Sequence, residues 1–469
     1  MSESLNYDVV VIGAGPGGYV SAIRASQLGL KTAVIDKQWL GGVCLNVGCI
    51  PSKALLKNAE LAHTLRERTQ EFGISFENLK LDYSAAVSRS RQVSKRLTLG
   101  VNSLMKKNKI DVHMGTAKLT AKNKVSVTNA EGQTQELIAK NIIVATGAYS
   151  MNIPGVTVDG ERILSYSEAI LQTTRPENVV IIGGGAIGIE FATVWSGYGT
   201  KVTIVEMMPH ILPAEDEEVA KELAKIYTKR GVEILTGHKV QSVERSDKGV
   251  KVKVTAADNS EKVLEADQAL VAIGFKPNSS NIGLEGVGVK INQRGFIEVD
   301  EHMQTNVPGI WAIGDVTGQL LLAHVASAQG IVCAESIAGV ETVKLDYRMM
   351  PRAVYSSPQV ASFGITEAQA KEQGYQVKVG RFPFQANGKS LGLADYAGFV
   401  KIITDAKYGE ILGAQMIGPD VSELLPELTL AQRTELTIDD ISRNVHAHPT
   451  ISEAIMEAAH AAEGHAIHF

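Results

Sequence analysis

Cys44 and Cys49 lie five positions apart in the run Gly41 to Lys53, a few residues after a glycine-rich turn. Two thiols at that interval could form a reversible disulfide. On an undistorted α-helix, residues i and i+5 have Cα atoms roughly 8.7 Å apart, beyond the ~7 Å limit for a bridge. A disulfide here therefore demands a distorted backbone, and Gly48 and Pro51 are residue types that permit one. Closing so short a loop restrains an unfolded chain little, so redox chemistry explains a bridge better than stabilisation does. Two reduced core thiols are the plainer alternative.

A second group able to do chemistry is the tail His446-Ala447-His448-Pro449-Thr450-Ile451-Ser452-Glu453, which precedes an Ala-rich helical stretch ending near Gly464. Thr450 and Glu453 have the spacing of a capping box. The two histidines could start a metal site, although no further Cys or His cluster accompanies them and a proline follows directly, so no metal is expected. An imidazole set against a carboxylate would be an acid/base pair with a fixed tautomer. Spacing alone does not choose between cap and dyad.

These groups need elements to hold them. Residues 8–12, Asp-Val-Val-Val-Ile, read as a buried parallel strand. They lead into Gly13-Ala14-Gly15-Pro16-Gly17-Gly18, a helix to about Leu28, and a strand, Thr32 to Ile35, ending at Asp36. This is the βαβ dinucleotide fingerprint: Gly13 for the turn, Gly15 for approach of a pyrophosphate, Gly18 for helix–strand packing. A second copy runs from Val179 through Gly183, Gly185 and Gly188 to Glu206. The interval from first glycine to acid is the same in both copies, which one chance glycine turn would not produce. A carboxylate at the second strand end accepts ribose hydroxyls and repels a 2′-phosphate, and Met207, Met208 and Pro209 follow Glu206 with no arginine. NAD is expected there rather than NADP.

Apolar runs at 141–147 and 269–274 end in glycine, and 309–315 ends in Gly314-Asp315, whose carboxylate would need hydroxyl partners if buried. Beyond Arg348, runs at 398–403 and 411–417 read as strands of a separate α+β domain with no glycine fingerprint. The chain of 469 residues has room for about three domains. A formal net charge of −5 gives no electrostatic footprint for nucleic acid. Three cysteines are too few for a secreted disulfide scaffold, and Cys333 reads as a core residue. Neither a signal-peptide pattern nor a membrane-length apolar run is present, so the cytoplasm is the expected compartment.

Taken together, the Gly41–Lys53 run, the second fingerprint with Glu190 beyond it, Gly314-Asp315 and the His448-Pro449 to Glu453 tail resemble the dimeric flavoprotein disulfide reductases. Within that family the resemblance is to the branch that reoxidises dihydrolipoamide for 2-oxo-acid dehydrogenase and glycine-cleavage complexes, and it covers essentially the whole chain. It implies an α/β enzyme with two doubly wound, Rossmann-like dinucleotide-binding domains and a C-terminal α+β dimerisation domain. The implied boundaries are 1–149 for FAD, 150–277 for NAD, 278–347 for a central segment completing the FAD side, and 348–469 for the homodimer interface. Cys44 would be the interchange thiol and Cys49 the flavin-facing one. Lys53, paired with Glu190, would lie near the flavin. Gly115, Asp315 and Ala323 match FAD-side positions, Val240 and Gly274 NAD-side ones. His448, held by Glu453, would be the acid/base, supplied to the partner subunit's site. The implied partners are lipoyl domains and the acyltransferase core of 2-oxo-acid complexes, or the glycine-cleavage lipoyl protein. Val43, Asp36, Trp311 and Val325 depart from the family's usual Thr, Glu, Tyr and Lys. Relatives that use NADP or a terminal cysteine pair fit less well, since this chain ends His468-Phe469. A redox sensor that binds both nucleotides without turnover is the alternative of another class.

Overall fold

Val9, Val10 and Val11 are fully enclosed, because the strand that carries them is covered on both faces. In the computed structural model, which describes residues 5–469, this strand, β1 (Leu5–Ile12), lies parallel to β2 (Thr32–Asp36) on one side and to Thr134–Val144 on the other. The short strand Ile310–Ala312 extends the same sheet beyond Thr134–Val144. A hairpin, Thr116–Ala121 with Lys124–Thr128, adds two antiparallel strands. These belong to a unit formed by Met1–Ala54, Ser84–Met151 and Gly274–Tyr347.

Between β1 and β2 runs α1 (Pro16–Gln27). It packs on the helix Ala323–Ala338 at a distance that only small residues allow. A Cβ on Gly330 would stand 2.7 Å from the Gly17 carbonyl oxygen, and one on Gly17 would stand 3.0 Å from that of Ala326. Two further helices follow β2: α2 (Gly42–Asn46) and α3 (Cys49–Glu67).

The second unit comprises Leu55–Tyr83, Asn152–Ile273 and Arg348–Phe469. Its parallel sheet runs in the order 233–235, 201–205, 178–182, 268–271, 163–164. Beside it is a three-stranded antiparallel sheet, His238–Ser246, Gly249–Ala256 and Glu261–Ala266, whose alternating Val250, Val252 and Val254 are buried. A five-stranded antiparallel sheet contains Phe399–Asp405 paired with Ile411–Gly418, as the alternation of those runs predicts. The helix Glu453–Ala462 lies on this sheet so closely that a Cβ on Gly380 would meet the Ala458 carbonyl oxygen at 1.8 Å. Among the described residues no helix is long and apolar enough to cross a membrane.

Candidate active site

The helix carrying the cysteines breaks where their bridging requires it. α2 ends at Asn46, Val47 takes φ −138° and ψ 15°, and α3 starts again at Cys49. Gly48 sits 3.0 Å, measured from an added Cβ, from the Val43 carbonyl oxygen, so a side chain there would press on the preceding turn. Pro51 falls in the first turn of α3, where its missing N–H costs nothing. The break brings the two thiols into hydrogen-bonding contact, both half-buried and unbridged. The Cys49 contact, followed by burial, pushes the Cys44 thiol up, against the pull of the Lys53 ammonium one turn along α3. The pair therefore titrates as a unit.

Asn46, which the sequence did not single out, braces the break. Its amide donates to the carbonyls of Leu40 (3.0 Å) and Gly42 (2.9 Å), and its own carbonyl accepts from Arg91. Gly42 is a second residue that the motifs do not mark. At φ +58° it lies against the fingerprint loop, where an added Cβ would be 2.6 Å from the Gly15 Cα. The pair Gly41-Gly42 was the visible signal for that close approach.

Both glycine loops have the shape a pyrophosphate needs. An added Cβ on Gly18 would meet the Gly13 carbonyl oxygen at 1.9 Å, and one on Gly188 would meet that of Gly183 at 2.0 Å. Gly15 and Gly185, each capping its helix without a side-chain partner, face open space. Free N–H groups at such a helix start suit phosphate oxygens. Asp36 accepts from Ala14 N–H (2.8 Å), Gln38 N–H (2.8 Å) and Trp39 N–H (3.0 Å). Glu206 accepts from Gly184 N–H (2.6 Å) and Met208 N–H (2.8 Å). A carboxylate has about four acceptor positions, so each acid is pinned to its loop and keeps capacity for a sugar hydroxyl. Met207 and Met208 are exposed beside Glu206, with no arginine following it.

Asp315 stands at the end of the Ile310–Ala312 strand, and burial pushes its carboxyl up to about 6. Among the described residues its side chain has no hydrogen-bond partner, whereas the neighbouring Gly314 N–H is taken by buried Gln329 (2.6 Å). Ligand hydroxyls would satisfy it. Ala323 opens the helix Ala323–Ala338, whose first turn has no side-chain cap. Gly115 donates to the Asp36 carbonyl oxygen at 2.9 Å, and only a glycine fits there, since a Cβ would be 2.5 Å from the Thr128 carbonyl oxygen. In the second unit, buried Glu190 accepts from the Tyr355 N–H at 3.1 Å, and Val240 sits at a bulge in its strand. Gly274 has φ +118° and accepts from the Met151 N–H.

The tail resolves into one dyad and one structural pair. His448 Nδ1 is 2.8 Å from Glu453 Oε1, and the imidazole is 78% exposed. An ionised Glu453 takes the Nδ1–H, leaving the lone pair on Nε2. Burial pushes the Glu453 carboxyl up, but hydrogen bonds from the Thr450 N–H and His448 outweigh it and hold the group below its ordinary value. His446 cannot serve as a base in the same way. Both its nitrogens are engaged by oxygen acceptors, Asn444 O at 2.9 Å and Glu427 Oε1 at 2.9 Å, and the Glu427 hydrogen bond raises its proton affinity.

The capping reading needs correction in part. The helix starts at Glu453 with Ser452 as its cap, so Thr450 lies outside it, and the Thr450 hydroxyl donates to the Ala447 carbonyl oxygen. Half of the box survives, as Glu453 Oε2 accepts the Thr450 N–H at 2.8 Å. One carboxylate thus does both jobs, one oxygen each.

Comparison with known proteins agrees with this geometry. Residues 7–330 match the pyridine nucleotide-disulphide oxidoreductase family, and residues 350–459 match its dimerisation domain. A dihydrolipoyl dehydrogenase of Mycobacterium leprae is 53% identical over 99% of this chain and 100% of its own length. That of Bacillus subtilis is 44% identical over 99% of both. Among solved structures, LpdA from Mycobacterium tuberculosis superposes with a TM-score of 0.90 at 28% identity, covering 97% of this chain and 99% of that one. The chain belongs to the pyridine nucleotide-disulphide oxidoreductase family, in its dihydrolipoyl dehydrogenase branch, and is an FAD- and NAD-dependent oxidoreductase.

Proposed function

We propose that Cys44, Cys49, His448 and Glu453 form the catalytic set that oxidises dihydrolipoamide carried on lipoyl domains. The observation that carries this reading is the thiol pair, brought together across a helix break beside the first fingerprint and facing the Lys53 ammonium. In the oxidised enzyme the two sulfurs are bridged. His448 Nε2 takes a proton from one substrate thiol, and the thiolate attacks Cys44 Sγ. The Cys44–Cys49 bond breaks and Cys49 leaves as a thiolate, held by Lys53. The second substrate thiol, deprotonated in turn, attacks the sulfur of its own mixed disulfide, releasing oxidised lipoamide and a protonated Cys44. When bound, FAD would supply the acceptor for the electron pair now held by the dithiol, and NAD the hydride carrier. Gly13, Gly15, Gly18, Asp36, Gly115, Asp315 and Ala323 would hold FAD, with Lys53 and Glu190 near its reactive ring. Gly183, Gly185, Gly188, Glu206, Val240 and Gly274 would hold NAD.

The division into 1–149 with 278–347 for FAD, 150–277 for NAD and 348–469 for the interface is part of this proposal. So is a homodimer in which His448 serves the partner's thiols, with lipoyl domains and an acyltransferase core, or the glycine-cleavage lipoyl protein, as partners in the cytoplasm. Mixing inactive Cys44→Ser chains with inactive His448→Gln chains tests the shared site. Heterodimers should regain one working site of two, and no recovery after demonstrated subunit exchange would put all four groups in one chain. In the homodimer, His448→Gln should lower dihydrolipoamide oxidation by about 10²–10⁴-fold with flavin content unchanged. Glu453→Gln should lower it less, because the base remains.

A further inference from the structure

The helix Glu453–Ala462 carries the dyad at its start and a different cluster at its end. His460 and Glu463 are three residues apart, so they share a helix face. Gly464 then takes φ +87°, and the chain turns back so that the His465 N–H donates to the His460 carbonyl oxygen at 3.1 Å. That bond is the longer closure of a Schellman turn. It sets the His465 ring 5.1 Å from the His460 ring, centroid to centroid. One donor atom from each of His460, Glu463 and His465 lies within 4.8 Å of the others.

The donors are also underused. Among the described residues, His460 Nδ1 and Glu463 Oε2 are shielded from solvent and lack a hydrogen-bond partner. That oxygen lies 3.5 Å from His465 Nε2, an ion-pair distance too long to satisfy it. Shielded polar atoms left unpaired are costly, and a shared partner would recover that cost. Nearby charges do not fill the gap. Glu457, one turn earlier, is taken by His468 at 2.6 Å, and the Arg443 guanidinium is held by Asp439 at 2.9 Å. The helix C-terminus adds a partial negative charge that favours a cation.

We propose that His460, Glu463 and His465 bind a divalent transition-metal cation, with Zn²⁺ the best match. Two imidazoles and one carboxylate form a three-ligand set that zinc completes with water. Tetrahedral bonds of about 2.0–2.1 Å place ligand atoms roughly 3.3 Å apart, a closure that the His465 side chain, 58% exposed, makes by rotating. Hard ions such as Mg²⁺, which prefer oxygen ligands, are excluded by the same set.

The test is titration of Zn²⁺ into the oxidised, FAD-loaded protein, whose bridged cysteines offer no thiolate. One Zn²⁺ per chain should bind, and excess Mg²⁺ should not displace it. His465→Ala, on the exposed tail, and His460→Ala should each weaken binding by about tenfold or more. Gly464→Ala removes no donor but strains the turn, and it should weaken binding too. Absence of Zn²⁺ binding, or affinity unchanged in both His465→Ala and Gly464→Ala, would overturn the site.

Discussion

If Asp315 holds flavin as proposed, flavin binding should depend on pH by an amount that its buried carboxyl fixes. Burial raises its carboxyl from 3.8 to about 6, so the folded protein holds this proton more tightly than the unfolded chain does. The group therefore opposes folding as pH rises: the penalty is absent below 3.8 and complete above about 6. A ligand whose hydroxyls hydrogen-bond the anion has the opposite preference and must expel the proton first. With the unliganded carboxyl at about 6, about 9% of molecules are ionised at pH 5 and about 91% at pH 7. Flavin affinity should therefore be about tenfold weaker at pH 5 than at pH 7, about 1.4 kcal/mol, and level above pH 7. Flavin fluorescence quenching on adding apoprotein, repeated across that range, measures this directly. Asp315→Asn should flatten the profile. At pH 7 it should also lose about 1.5–3 kcal/mol of affinity, the usual worth of hydrogen bonds to a charged group. A wild-type affinity independent of pH, or an equal slope in Asp315→Asn, would refute the assignment.

Partial reduction should give a long-wavelength absorption band from a thiolate beside oxidised flavin. Cys44→Ser should keep the band while losing dithiol oxidation, and Cys49→Ser should lose both, as spectra and turnover will show. Glu206→Ala with arginine at Met207 or Met208 should weaken NAD use and improve NADP use in steady-state kinetics, and equal use of both by the native enzyme would contradict the reading. Gly188→Ala puts a Cβ 2.0 Å from the Gly183 carbonyl oxygen. It should raise the KM for NAD or abolish its use, with FAD content retained and a stability loss of about 1–3 kcal/mol by denaturant unfolding.

What could be read from the sequence was whatever a local rule decides. The two fingerprints declare themselves because Gly18 and Gly188 each face a carbonyl five residues back, at under 2.1 Å from a would-be Cβ. The strand from Asn178 begins within a residue of where its apolar run puts it, whereas the helix expected after Gly18 already starts at Pro16. The sheet of residues 238–266 leaves only the alternation of Val250, Val252 and Val254 in the sequence, with no glycine fingerprint beside it. Bracing across long sequence distances left no such trace. Nothing near Asn46 announces that Arg91 will reach its carbonyl, and nothing near Gly314 announces Gln329.

The two tail histidines show where the limit falls and why it matters for function. By sequence, His446 and His448 are equivalent candidates two residues apart, and by composition either could face a carboxylate. Structure separates them through what the second nitrogen does. In His446 both nitrogens meet oxygen acceptors, a setting that favours the imidazolium and leaves no lone pair for a substrate proton. His448 has its Nδ1 on Glu453, and its ring is largely exposed. Glu427, the residue that engages His446, lies nineteen positions away on the helix Leu425–Arg433, beyond any short-range pattern. Glu453 is near enough to be noticed, yet spacing could not reveal that it divides its two oxygens between the His448 ring and the Thr450 N–H. That division gives the dyad its rigidity: the backbone bond fixes the carboxylate, and the fixed carboxylate fixes the ring.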